Sequence, residues 1–190
     1  VKLRLIIDEA CSGVEDVSAD AVFELIDKNI YDGIKKEDLS SSILISIRPL
    51  IEKDPNYSYV VARLLLSSLY EEGLTFLNFK DNSPTIKEMS KSYPEYFKAY
   101  ITKAVELELI DKELLNYDMD LIAKNINPSK DLAFTYLGLQ TLYDRYFIHE
   151  QGKRFELPQA FFMRVAMGLA INEENREERT IEFYNLISSF

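Results

Sequence analysis

Apolar residues recur three and four positions apart along most of the chain, the spacing of helices that bury one face. Leu3, Ile6, Ile7 and Ala10 make a first stripe, and Gly13 follows as a C-terminal stop. Ser18 can cap a second helix carrying Val22, Phe23, Ile26 and Ile30, with turn chemistry after it at Tyr31-Asp32-Gly33. A third helix is predicted over about residues 37–52, and Pro49, which lacks an amide donor, should kink or shorten its last turn. After Asp54-Pro55-Asn56, a fourth helix over about 57–72 carries Val60, Val61, Leu64, Leu65, Leu66 and Leu69. So wide an apolar arc marks the central helix of a bundle. Gly73 is expected to end it, and residues 75–84 read as a connection.

Ser83-Pro84 has the form of a helix start, a capping hydroxyl followed by proline where no amide donor is missed. Pro94 is expected to start or kink the next helix, which carries Phe97, Ile101, Val105 and Leu109. A short helix over 119–126 should stop at Asn127-Pro128. The stretch 131–146 is predicted helical, with Leu132, Tyr136, Leu139 and Tyr143 on one side. Tyr146-Phe147-Ile148, a polar turn with Gln151-Gly152, and Arg154-Phe155-Glu156-Leu157 form the one β signal, a two-stranded hairpin that must pack on helices. Helices over 158–171 and 174–188 complete the pattern. The fold class is therefore mainly α, a helical bundle with one small hairpin near 146–157.

Charge narrows the function. Twenty-two basic residues face 32 acidic ones, a net of −10, which opposes general binding to nucleic acid. The 12 tyrosines and 11 phenylalanines fall at helical spacings beside Leu and Ile, as core residues do. No apolar run approaches the ~18 residues of a membrane span, and the start, Val1-Lys2-Leu3-Arg4, soon meets Asp8 and Glu9, unlike a signal peptide. These features point to a cytoplasmic protein without a membrane partner. Cys11 is the only cysteine and His149 the only histidine, so a metal site is not expected, and Cys11 on an apolar stripe reads as an inert thiol. Pairs such as Glu71-Glu72, Glu173-Glu174 and Glu177-Glu178 read as solvated faces, with no catalytic residue among them. Neither a P-loop nor a dinucleotide fingerprint is present. Arg164, between Met163 and Val165, reads as an arginine paired to a carboxylate, with contact to a further domain as the functional reading. Tyr143, Tyr146 and Tyr184 read as packing residues.

The segments Thr141-Leu142-Tyr143-Asp144-Arg145-Tyr146, Glu156-Leu157-Pro158-Gln159, Phe162-Met163-Arg164-Val165-Ala166 and 182–190 resemble, in order and spacing, the large subunit of ribonucleotide reductase. There they form the helical N-terminal domain that leads into the catalytic barrel. Tyr31-Asp32-Gly33-Ile34, Asp54-Pro55-Asn56-Tyr57 and Ala62-Arg63-Leu64 resemble the latter part of an ATP-cone, the regulatory module that precedes that domain in many large subunits. The resemblance implies three parts: a partial cone over 1–75, a helical connection over 76–130, and the helical N-terminal domain over 131–190. The implied role is non-catalytic regulation and scaffolding within a ribonucleoside-diphosphate reductase.

The departures matter as well. A family cone begins with a hairpin whose turn holds triphosphate, and this chain starts near the cone's first helix. Lys2 falls where the family often has a nucleotide-contacting lysine, and Lys36 stands where many cones have threonine, so these two are the candidate nucleotide-binding residues. Glu71 stands where some cones place a basic residue. Residues 1–75 hold eight basic residues against fourteen carboxylates, so ATP or dATP, the effectors the family would use, should bind weakly or not at all. The family's catalytic cysteines lie beyond Phe190, and Cys11 matches none of them. The implied partners are the catalytic barrel, a small radical-generating subunit, and a second large subunit in a homodimer. The alternative is a free-standing helical interaction module derived from the same domains.

Overall fold

The computed structural model describes residues 2–31, 33–81 and 84–189, and for Lys2, Lys36 and Glu37 it describes the backbone. Its helices are α1 (Lys2–Cys11), α2 (Ala19–Asn29), α3 (Lys36–Ile47), α4 (Leu50–Lys53), α5 (Tyr57–Phe76), α6 (Ile86–Glu106), α7 (Met119–Lys124), α8 (Tyr136–Arg145), α9 (Pro158–Leu169) and α10 (Arg176–Ile187). Short 3₁₀ segments cover Lys112–Asn116 and Pro128–Ala133, and the strands β1 (His149–Glu150) and β2 (Lys153–Arg154) pair antiparallel. The fold is mainly α, as the periodicity predicts. Among the described residues no helix is long and apolar enough to cross a membrane.

Two compact units are present, one from residues 1–68 and 134–141, the other from 69–133 and 142–190. In the first, α2 packs on α1 and α3 around Ile7, Ala10, Val22, Ile26, Ile47, Val60 and Val61. The expected signals act here. Ser18 caps α2 by accepting from the Ala21 amide, and Gly13 adopts φ +70° just past the end of α1. Arg63 on α5 donates to the carbonyls of Ala10 and Ser12, supplying positive charge to the last turn of α1. Of the turn at 31–33, Asp32 lies outside the described residues. Pro49 has a larger effect than a kink. It separates α3 from α4, so the predicted single helix is two.

In the second unit α9 packs on α10, and α7 packs on α6 and α10. Three helix boundaries here differ from the sequence reading. Gly73 does not end α5, which runs on to Phe76. A methyl group at Gly73 would meet Leu157 and Phe155 at 3.6 Å, ordinary contact, so the residue lies on a packed helical face where burial outweighs poor propensity. Pro94 does not start a helix but lies within α6. That helix buries Met89, Tyr93, Tyr96, Phe97, Tyr100, Ile101 and Ala104 on both sides of the proline, enough packing to offset one missing backbone bond. Val105 and Leu109, expected on the same stripe, are only partly covered. The start of α6 is set by Thr85, whose side chain accepts from the Glu88 amide while Glu88 reaches back to the Thr85 amide. Ser83, the expected cap, lies outside the described residues.

The predicted helix over 131–146 is also two pieces, the 3₁₀ segment at Pro128–Ala133 and then α8. Thr135 interrupts by receiving the Gly138 amide in capping fashion. The hairpin is tighter than expected. His149 faces Arg154 and Glu150 faces Lys153, across Gln151 and Gly152 at φ +49° and +81°. Positive φ at both central residues is the two-residue type I′ geometry that matches strand twist.

Candidate functional site

The second unit buries two carboxylates, Asp131 and Glu156, near three tyrosines of α6. Tyr93, Tyr96 and Tyr100 are fully buried, spaced so that their hydroxyls follow one side of the helix. Tyr96 donates to the Phe155 carbonyl at 2.8 Å and accepts from the Leu157 amide at 2.8 Å. Tyr93 accepts from the Gln159 amide, one of the donors that the first turn of α9 leaves without an intrahelical partner. Tyr100 donates to Glu156 Oε1 at 2.5 Å. Burial raises all three hydroxyls well above the ordinary tyrosine range, and the Glu156 charge adds to this at Tyr96 and Tyr100. They are hydrogen-bonding groups, not acids.

Glu156 is fully buried and has four contacts: Tyr100, the Ile148 amide, and both Nε and Nη2 of Arg164. Desolvation alone would weaken the guanidinium's hold on its proton. Glu156 outweighs it, and the Arg164 pKa is raised above the ordinary arginine value. The pairing expected for Arg164 is therefore present, and its carboxylate comes from the strand-like stretch before α9.

A second carboxylate, Asp131, is also buried. Its Oδ1 accepts from Gln159 Nε2 at 2.8 Å and its Oδ2 from the Tyr70 hydroxyl at 3.3 Å. Gln159 Oε1 in turn accepts from Tyr184, whose hydroxyl also receives the Asn127 amide. Burial raises Tyr184 to about 12. Closer to the surface, Glu72 accepts from the Tyr143 hydroxyl and the Arg154 amide, and the Arg154 guanidinium lies 4.0 Å from the centre of the Tyr143 ring. Glu72 thus holds the hairpin, whereas the sequence reading made it part of a solvated face. Tyr143 and Tyr184 do pack, while Tyr146 is largely exposed.

The chemistry of this arrangement is retention. Glu156 joins Ile148 and Arg164 of α9 to Tyr100 of α6, and Gln159 joins the start of α9 to Tyr93 of α6 and to Asp131. The expectation that the acidic residues are solvated missed Asp131 and Glu156, although tyrosines at 93, 96 and 100 on one helical stripe signal buried partners for their hydroxyls. Cys11 is half-buried, and burial raises its thiol above the ordinary range, which suits an inert group. His149 is exposed in β1.

Of the two candidate nucleotide ligands, Lys2 opens α1 and Lys36 opens α3, and both side chains lie outside the described residues. Three arginines of the first unit are already engaged. Arg4 contacts Asp20 at 2.7 Å and Asp8 at 3.0 Å, Arg63 binds the α1 carbonyls, and the Arg48 guanidinium lies 5.4 Å from the centre of the Tyr136 ring.

Residues 132–190 match the family described as the all-alpha domain of ribonucleotide reductase. The similarity extends across the whole chain. The ribonucleoside-diphosphate reductase subunit alpha of Chlamydia muridarum is 40% identical over 183 residues, 95% of this chain and 17% of its own length. That of Helicobacter pylori is 30% identical over 192 residues, covering 100% of this chain and 22% of the relative. The ribonucleoside-diphosphate reductase 1 subunit alpha of Escherichia coli is 26% identical over 198 residues, again all of this chain and 24% of the relative. The chain belongs to the family of ribonucleotide reductase large subunits, and it spans between 17% and 24% of the length of these curated relatives.

Proposed function

We propose that this chain is the non-catalytic N-terminal part of a ribonucleoside-diphosphate reductase large subunit, serving regulation and scaffolding. The whole subunit would reduce ribonucleotides to deoxyribonucleotides by radical chemistry, with a catalytic barrel, a small radical-generating subunit and a second large subunit as partners. The observation that carries this reading is the internal use of the polar groups. Asp131 and Glu156 lie in the core, the half-buried Arg164 pairs with Glu156, and these groups hold one segment to another, whereas a catalytic site needs such groups positioned toward a substrate.

Residues 1–75 are a degenerate ATP-cone. Lys2 and Lys36 are its remaining candidate nucleotide ligands, while Arg4 and Arg63 are committed to carboxylates and to helix-end carbonyls. An effector changes an assembly equilibrium only through different affinity for the two states, so a cone with weak phosphate binding acts as a packing module. Isothermal titration of the chain with ATP and with dATP is the test. Heat no larger than the dilution control supports the reading. Saturable micromolar binding that is lost in Lys2→Ala or Lys36→Ala overturns the degenerate cone and assigns these lysines as ligands.

A further inference from the structure

Two carboxylates are wholly buried in the second unit, and their surroundings differ. Glu156 has the Arg164 guanidinium beside it. Asp131, 1% exposed, has no ion pair among the described residues. The groups that face it are Tyr70 from α5, Tyr93 and Tyr96 from α6, Gln159 from α9 and Tyr184 from α10, all neutral at pH 7. Its neighbour in sequence, Lys130, directs its ammonium elsewhere, to Ser188 Oγ at 2.7 Å and over the Tyr184 ring at 4.9 Å. A carboxylate that has left water for neutral partners is costly in its ionised form.

We propose that Asp131 is a proton-operated latch for the 3₁₀ segment Pro128–Ala133. With its carboxyl protonated, the segment is held to α5 and α9 through Tyr70 and Gln159. Once the carboxyl ionises, the segment releases so that the charge can reach water. The Lys130–Ser188 and Asn127–Tyr184 contacts stand on or next to the same short stretch and loosen with it.

The direction of the pH effect follows from proton uptake. Burial raises the Asp131 carboxyl to about 7, and the bonds from Gln159 and Tyr70 offset only part of that, whereas a solvated aspartate titrates at 3.8. Closing the latch therefore takes up a proton between these two values. The closed state is favoured most at low pH, weakens as pH rises from 3.8 toward 7, and changes little above that.

The test is amide hydrogen exchange of residues 128–133 in the chain between pH 5 and 8, corrected for intrinsic exchange, with a carbon-13 NMR titration of the Asp131 carboxyl. The opening equilibrium should rise roughly fiftyfold from pH 5 to pH 7, with no matching change in α6, and flatten in Asp131→Asn. A carboxyl midpoint near that of a solvated aspartate overturns the proposal. So does an opening equilibrium that ignores pH or keeps its pH dependence in Asp131→Asn. If that variant does not fold, the titration of the unsubstituted chain decides alone.

Discussion

Arg164 meets Glu156 through two contacts, Nε to Oε1 at 2.5 Å and Nη2 to Oε2 at 3.2 Å, with the carboxylate fully buried and the arginine side chain 20% exposed. The pair is strong because Glu156 also receives Ile148 and Tyr100, so its lone pairs are satisfied after leaving water. Removing the cation alone strands a buried charge. Arg164→Ala should lose about 3–5 kcal/mol of unfolding free energy, read from urea denaturation, because breaking such a pair exposes its desolvation cost. A loss within experimental error would mean that the pair is not formed in solution.

Tyr96 serves two backbone groups at once. In Tyr96→Phe the Phe155 carbonyl and the Leu157 amide both stay buried without this partner. The expected cost is about 1–3 kcal/mol for each group left unsatisfied, with little change in packing volume. Tyr100→Phe should cost less, since Glu156 retains Arg164 and the Ile148 amide. Thermal melts of the two variants give the order, and the reverse order would contradict the assignment of Tyr96 as the main anchor.

Gly73 offers a gain. It is helical, and an added methyl group meets its nearest neighbours at 3.6 Å, so Gly73→Ala removes the entropy penalty of glycine without a clash. The variant should be more stable by about 0.5–1 kcal/mol, visible as a higher denaturation midpoint. Destabilisation would show that the backbone of α5 and that of Phe155 approach more closely than described.

Gln151 holds a left-handed conformation ahead of Gly152. Asparagine accepts that conformation more readily and is the favoured residue before glycine in such a turn. Gln151→Asn should stabilise the hairpin by up to about 1 kcal/mol. Slower amide exchange at His149 and Arg154 would report it, and faster exchange would argue against the type I′ turn.

Much of the helical architecture is legible in the residues, since Val22, Ile26, Val60, Leu64 and Ile101 fall on the predicted stripes and are all buried. What misleads is local propensity where tertiary packing opposes it. Gly73 and Pro94 are helix breakers by composition, yet each lies in a helix whose flanks bury large side chains, and the flanks win. Pro49 acts as the local rule says and more. The polar core is harder to read because acidic residues are mostly solvated, so Asp131 and Glu156 carry no sign in the sequence of where they fold. Arg164 among apolar neighbours did signal a paired carboxylate without saying which one. Lys2 and Lys36 came from family resemblance, and no pattern in the chain itself singles them out.

The tyrosines at 93, 96 and 100 measure length as well as making bonds. Their hydroxyls read residues 155–159 like marks on a ruler, with Gln159, then Phe155 and Leu157, then Glu156 each meeting one mark. A residue inserted or deleted between Phe155 and Leu157 would put the contacts of Tyr96 and Tyr100 out of step, whereas an extra residue at the 151–152 tip would remake the turn and leave the spacing within 155–159 unchanged. Chain length is therefore constrained more tightly after the hairpin than within it, whatever side chains the two regions carry.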